Sequence, residues 1–138
     1  IVDVKAKVDS YNTRYGVNIV AVDGASDAAK IEVLKNTDIA LCAAAAGVQV
    51  LSLAQMANAK DLKVVADVNA VPPSGAEGVD VFADGVAIEG TNAFGIGALA
   101  IGNVKYKTQH HLLKLMLESD NKQYLDFLSA FEMARNSL

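Results

Sequence analysis

An α/β fold, with a mostly parallel sheet flanked by helices, is predicted by three features of this sequence. Short apolar, β-branched runs at residues 17–22, 38–44 and 62–66 alternate with helical segments. That is the rhythm of βαβ units joined by right-handed crossovers. The middle run is apolar throughout, as strands covered on both faces of a parallel sheet are. The third continues as Val64-Val-Ala-Asp67-Val-Asn69-Ala-Val-Pro72-Pro73, ending in a carboxylate, an amide and two prolines. Such a strand stops where its carboxyl end opens onto a crevice, the usual ligand position in open α/β sheets. At 138 residues, 52% hydrophobic and 20% charged, the chain can bury one core and is not of the disordered class.

Taken in order, residues 3–15 carry Val4, Val8, Tyr11 and Tyr15 at helical spacing, with Gly16 placed to end the helix. Residues 17–22 follow as a β-rich strand. Ser26 caps a helix over 27–35, with Asp27 at the positive end of its dipole. The strand at 38–44 is expected to be buried on both faces. It runs into Ala43-Ala44-Ala45-Ala46-Gly47, side chains small enough either to admit a ligand or simply to pack under a helix. A helix at 51–59 and a strand at 62–66 complete the series. Pro72 and Pro73 pre-shape the loop after Asn69. Residues 72–91 are loop-like, with a short edge strand at Phe82 or at 86–88. A long helix is expected from Ala93 to about Glu118, capped by Thr91 or Asn92, its first half apolar all round and therefore enclosed. A break at 119–121 precedes a final amphipathic helix through Tyr124, Leu125, Leu128, Phe131 and Met133.

Composition narrows the function classes. A net charge of −4 without a basic cluster points away from nucleic acid. Cys42 stands alone, which excludes an internal disulfide and suits a reducing, cytoplasmic setting. The apolar run 39–56 is long enough to span a bilayer. Gly47, Gln49, Ser52 and Gln55 interrupt it, so strand, turn and helix explain it better than a membrane segment. His110 and His111 are adjacent and leave a helix in different directions, so no metal site is expected. Gly95-x-Gly97-x-x-Ala100 matches a dinucleotide fingerprint in form, but it falls inside the expected long helix instead of after a first strand. Asp67 and Asn69, one residue apart, share one side of the strand end and either bind a ligand or cap the neighbouring turn. Lys105 and Lys107 emerge where the apolar helix turns amphipathic.

Together, Val-Ala-Asp67-Val-Asn69-Ala70-Val-Pro72-Pro73 and Asn92-Ala-Phe94-Gly95-Ile-Gly97, continuing to Lys105-Tyr-Lys107, resemble the NADP-dependent methylene-tetrahydromethanopterin dehydrogenases of one-carbon-metabolising bacteria. Asp9-Ser10-x-Asn12-x-Arg14 and the run from Asp38 to Gly47 resemble the helix and strand preceding that run in the family. The likeness extends over nearly the whole chain in one order.

The resemblance implies a Rossmann-like domain and a hydride transfer from the methylene group of a reduced pterin to NADP⁺. It places Ala44, Ala45, Gly47, Asp67, Asn69 and Ala70 along the nicotinamide half of the cofactor cleft, and Lys105 as the active-site lysine. It also implies that the glycine-rich phosphate turn and the loop for the NADP 2′-phosphate lie upstream of Ile1. Residues 1–92 are then the later part of the NADP-binding domain, and 93–138 are helices closing the cleft toward a pterin-binding domain outside this chain. A homo-oligomer, or a missing N-terminal segment, is expected to cover the remaining apolar faces. A shikimate-type or methylene-tetrahydrofolate dehydrogenase, or a non-catalytic nucleotide-binding module, stays as the alternative.

Overall fold

The computed structural model describes residues 2–136. In order these form α1 (Val2–Tyr15), α2 (Asp27–Leu34), β1 (Ile39–Cys42), α3 (Leu53–Met56), β2 (Val64–Asp67), β3 (Asp84–Ala87), β4 (Phe94–Ile96), α4 (Ala98–Glu118) and α5 (Phe127–Asn136). The sheet has the order β1-β2-β4-β3. β1, β2 and β4 run parallel, and β3 closes one side as an antiparallel edge. The α/β class read from the sequence is therefore the observed one.

Helix starts follow their side chains. Ser26 Oγ accepts the Ala29 amide at the start of α2. Ser52 and Gln55 cap α3 reciprocally, each side chain bonding the other's backbone amide. Gly16, at a φ of 63°, ends α1 in the left-handed conformation that glycine adopts without strain.

The core lies on one face of the sheet. Cys42 and Val65 point toward Leu34 of α2 and Met56 of α3, with Leu51, Leu62, Val79 and Ile88 filling in around them. Residues paired in register point to the same side of a parallel sheet. Ile39, Leu41, Val64 and Phe94 therefore share the opposite face, and there Leu41 is 77% exposed. The expectation that residues 38–44 are buried on both faces fails for this reason: α2 and α3 cover only one of them.

Three further expectations are corrected. Residues 17–22 are not a strand, because β1 pairs with β2 on its one bonded side and nothing pairs with 17–22. Val20 is 70% exposed. The long helix starts at Ala98, not Ala93, since Phe94–Ile96 is drawn into the sheet between β2 and β3. Its first half is not enclosed either; Leu99 is exposed, and among its described residues only Thr108 is buried. α4 packs chiefly against α5. No helix among the described residues is long and apolar enough to cross a membrane.

Candidate functional site

The carboxyl end of β2 is built around one buried carboxylate. Asp67 is 2% exposed; its Oδ1 accepts the Asn69 amide at 2.9 Å and its Oδ2 the Ala76 amide at 3.1 Å. Asn69 continues the pattern, with Oδ1 accepting from Val71 N at 3.0 Å and Nδ2 donating to the Pro73 carbonyl at 3.1 Å. Both side chains thus fasten the loop 69–76 to the strand end. Of the two roles open in the sequence, capping the neighbouring turn is the one these bonds display. Gly75 belongs to the same device: a Cβ there would lie 2.7 Å from Asp67 Oδ1. The loop so held presents Ala70, Val71 and Pro72 to the outside.

The turn after β1 comes up against this loop. Val48 N bonds the Ala45 carbonyl, and Gly47 takes a φ of 74° with its Cβ position 3.5 Å from the Pro72 carbonyl. The structure therefore brings Ala45–Gly47 and Asn69–Pro72 together as one ledge across the ends of two parallel strands. Ala44 is half-buried and Ala45 exposed. Ala44 also lines a cavity of about 400 Å³ with Val22, Gly24, Leu41 and Lys30. Lys30 was not singled out in the sequence. Its Nζ donates to the Val50 carbonyl at 2.7 Å, which leaves the cation at the cavity wall. No sequence signal distinguished it from its neighbours.

Lys105 stands apart from the ledge. It is exposed and lines a cleft of about 880 Å³ between α4 and α5, with Ile96, Thr108, Phe127 and Phe131. Lys107 and Asp84 share that cleft; Asp67, Asn69, Ala70 and Ala44 do not. The chain by itself thus places the expected lysine in a cleft that the expected strand-end residues do not line.

Two further groups are defined by their surroundings. The Cys42 thiol is pushed up to about 11, first by burial and then by the Asp67 carboxylate beside it, so it stays protonated near neutral pH and is no thiolate nucleophile. The glycines at 95 and 97 lie at a strand-to-helix junction and not inside a helix. The junction offers no phosphate cradle: Leu99 N bonds the Val81 carbonyl, Gly97 N bonds Ala83, and a Cβ on Gly97 would sit 2.1 Å from the Asp80 carbonyl. These glycines serve close packing. Among the described residues no three His, Cys, Asp or Glu side chains cluster as metal ligands do.

Against known proteins, the chain is 42% identical over 121 residues to the NAD(P)-dependent methylenetetrahydromethanopterin dehydrogenase of Methylorubrum extorquens. The resemblance read from the sequence holds. A second protein of that organism, named bifunctional protein MdtA, is 36% identical over 115 residues. These matches take in 88% and 83% of this chain, but only 41% and 39% of the two relatives. The chain thus spans about two fifths of the length of the curated relatives it matches. No protein-family model matches it.

Proposed function

We propose that this chain is the later, sheet-bearing part of the NADP side of a cytoplasmic methylene-tetrahydromethanopterin dehydrogenase. The observation that carries the reading is 42% identity across 88% of the chain to a protein of that name. The ledge at the ends of β1 and β2 fits a flat ring. Ala44, Ala45 and Gly47 offer little bulk, and Asp67 and Asn69 hold the backbone of Ala70–Pro72 in place opposite them. NADP⁺, when bound, supplies the hydride acceptor.

In this reading the protein's own groups position and dry the site. Asp67 and Asn69 are positioning residues, since their polar atoms hold the loop. Lys105 would act on the reduced pterin by hydrogen bonding. The apolar surfaces of α4 and α5 close the cleft against a pterin-binding domain and keep water from the reacting carbons. In this reading β4 completes the sheet part and α4 and α5 would form the closing part. Homo-oligomeric contacts are the further expectation for the exposed apolar faces.

The test is NADPH formation by this chain fused to the portion of the Methylorubrum dehydrogenase that the match leaves uncovered. Turnover with methylene-tetrahydromethanopterin, falling about 10²-fold in Lys105→Met, is expected. Turnover with methylene-tetrahydrofolate alone, with a 3-hydroxy acid of the shikimate type, or with none of these, contradicts the reading.

A further inference from the structure

The two walls of the ledge belong to separate connections, β1 to α3 and β2 to β3, and the bonds that tie these connections together lie further along both. There residues 50–53 run beside residues 75–77. The Gly75 carbonyl accepts the amides of Val50 at 2.7 Å and Leu51 at 3.0 Å, and the Glu77 amide donates to the Leu51 carbonyl at 2.9 Å. Leu51 and Ala76 form a parallel bridge. The half-buried Glu77 side chain adds a further bond, its Oε2 accepting the Leu53 amide at 2.8 Å.

This clasp is anchored at both ends. On one side Asp67 Oδ2 accepts the Ala76 amide, which ties residues 75–77 to the end of β2. On the other, Lys30 Nζ donates to the Val50 carbonyl and Gln55 Nε2 to Asp27 Oδ1 at 2.8 Å, which tie the start of α3 to α2. The bonds of residues 50–51 with 75–77 are backbone to backbone. Glu77 supplies a side-chain bond, so a substitution there loosens the clasp without touching Asp67, Asn69 or the ledge itself.

Leu53 is the first residue of α3, and its amide is one of the donors that a helix leaves without an internal partner. Ser52 and Gln55 satisfy each other's amides locally. Glu77 reaches the Leu53 amide from 24 residues away. A local cap would serve α3 alone, whereas a carboxylate from the other connection also fixes where α3 begins relative to that connection. Bonds from a carboxylate to a backbone amide are about twice as strong as neutral ones.

We propose that Glu77 is a positioning residue for the cofactor: by holding the start of α3 to residues 75–77 it sets the spacing between Ala45–Gly47 and Asn69–Pro72, the walls beside which the nicotinamide ring would lie. The inference rests on the dehydrogenase reading above. Hydride transfer tolerates little misplacement of the reacting carbons, and an error of about 1 Å set far from the chemistry can lower the rate about 10²-fold. Glu77 touches no reacting atom. It acts through the backbone of residues 48–53 on the turn at 45–47, which Val48 N closes by bonding the Ala45 carbonyl.

The test uses the fusion described above. Glu77→Met removes the acceptor at similar bulk, Glu77→Gln keeps an oxygen able to accept the Leu53 amide, and Ser52→Ala weakens the same helix start from its local side only. The expected result is a fall of about tenfold in kcat/KM for NADP⁺ in Glu77→Met, with KM for the methylene substrate unchanged. Glu77→Gln is expected to recover most of the loss. Ser52→Ala is expected to lower thermal stability and leave kcat/KM as it was. Equal kcat/KM in Glu77→Met and the unsubstituted fusion, or a change confined to the methylene substrate, overturns the proposal and leaves the dehydrogenase reading intact. So does an equal loss in Ser52→Ala, because Glu77 would then be no more than a helix cap. Glu77→Asp, which draws the carboxylate back by one methylene, replaces Glu77→Met should the latter not fold, with the same two outcomes. An unsubstituted fusion without NADP⁺-dependent turnover overturns the dehydrogenase reading and this proposal with it.

Discussion

Replacing Asp67 by alanine removes the acceptors of two amides, those of Asn69 and Ala76, in one step. Each buried donor left without a partner costs about 1–3 kcal/mol. Asp67→Ala is therefore expected to lower the urea midpoint markedly with little change in the slope of the transition. Gly75→Ala attacks the same contact from the other side, because its Cβ would meet Asp67 Oδ1 at 2.7 Å; a loss of about 1–3 kcal/mol is expected. Since both act on one carboxylate, the double variant should lose less than the sum of the single losses. Cys42 gives a pH test. Its folded value of about 11 lies above the ordinary 9.0, so the contribution of the neutral thiol is intact below pH 9 and is lost as the pH rises through 11. Alkylation of Cys42 should be slow at pH 8 in the native chain and fast once it is unfolded. That Asp67 and Asn69 share a side was legible from strand alternation. Their partners were not, because Ala76 and Pro73 come back to the strand only through the path of the loop.

At the level of elements, the sequence read well where a side chain decides the structure and poorly where a distant partner does. The Ser26 cap and the Gly16 stop were legible because they are local. The α3 capping box is local in the same way, and Ser52→Ala should cost about 1 kcal/mol, read by thermal denaturation. Phe94–Ile96 was read as helix because apolar residues with glycines carry no period over so short a run. Pairing with β2 and β3 settled the matter instead. The junction that results is crowded. Gly97→Ala would put a Cβ 2.1 Å from the Asp80 carbonyl, a backbone atom that cannot rotate away. A loss of about 3 kcal/mol or more is expected, larger than that of Gly102→Ala, where no atom lies within reach of the added carbon. Residues 17–22 are the same lesson at an edge: they have strand composition, but a strand needs a neighbour.

For the molecule as a whole, the α/β class and the position of the strand ends were legible. Which faces would be covered was not, since that depends on helices and strands that the composition of one segment cannot count. The consequence is a large apolar surface on the C-terminal helices, where Leu113, Met116 and Leu117 of α4 and Phe127 and Leu128 of α5 are exposed, Leu117 by 87%. Surfaces of that kind associate. The chain alone is expected to show concentration-dependent light scattering, reduced by Leu117→Lys, whereas a monomer at every concentration would contradict the view that this face is normally covered. The question of coverage bears on the cofactor as well. In the proposed reading the ledge formed by Ala45–Gly47 and Asn69–Pro72 is one end of a dinucleotide site; at the start of α4, Gly97 N and Leu99 N are already bonded to the Ala83 and Val81 carbonyls. The most direct measurement is NADP⁺ binding by calorimetry to this chain beside its fusion with the uncovered portion of the Methylorubrum relative. Binding by the fusion only is expected of a sheet-bearing part whose phosphate-binding turn lies elsewhere. Equal binding by the chain alone would contradict it, because a complete nucleotide site would then reside within these 138 residues.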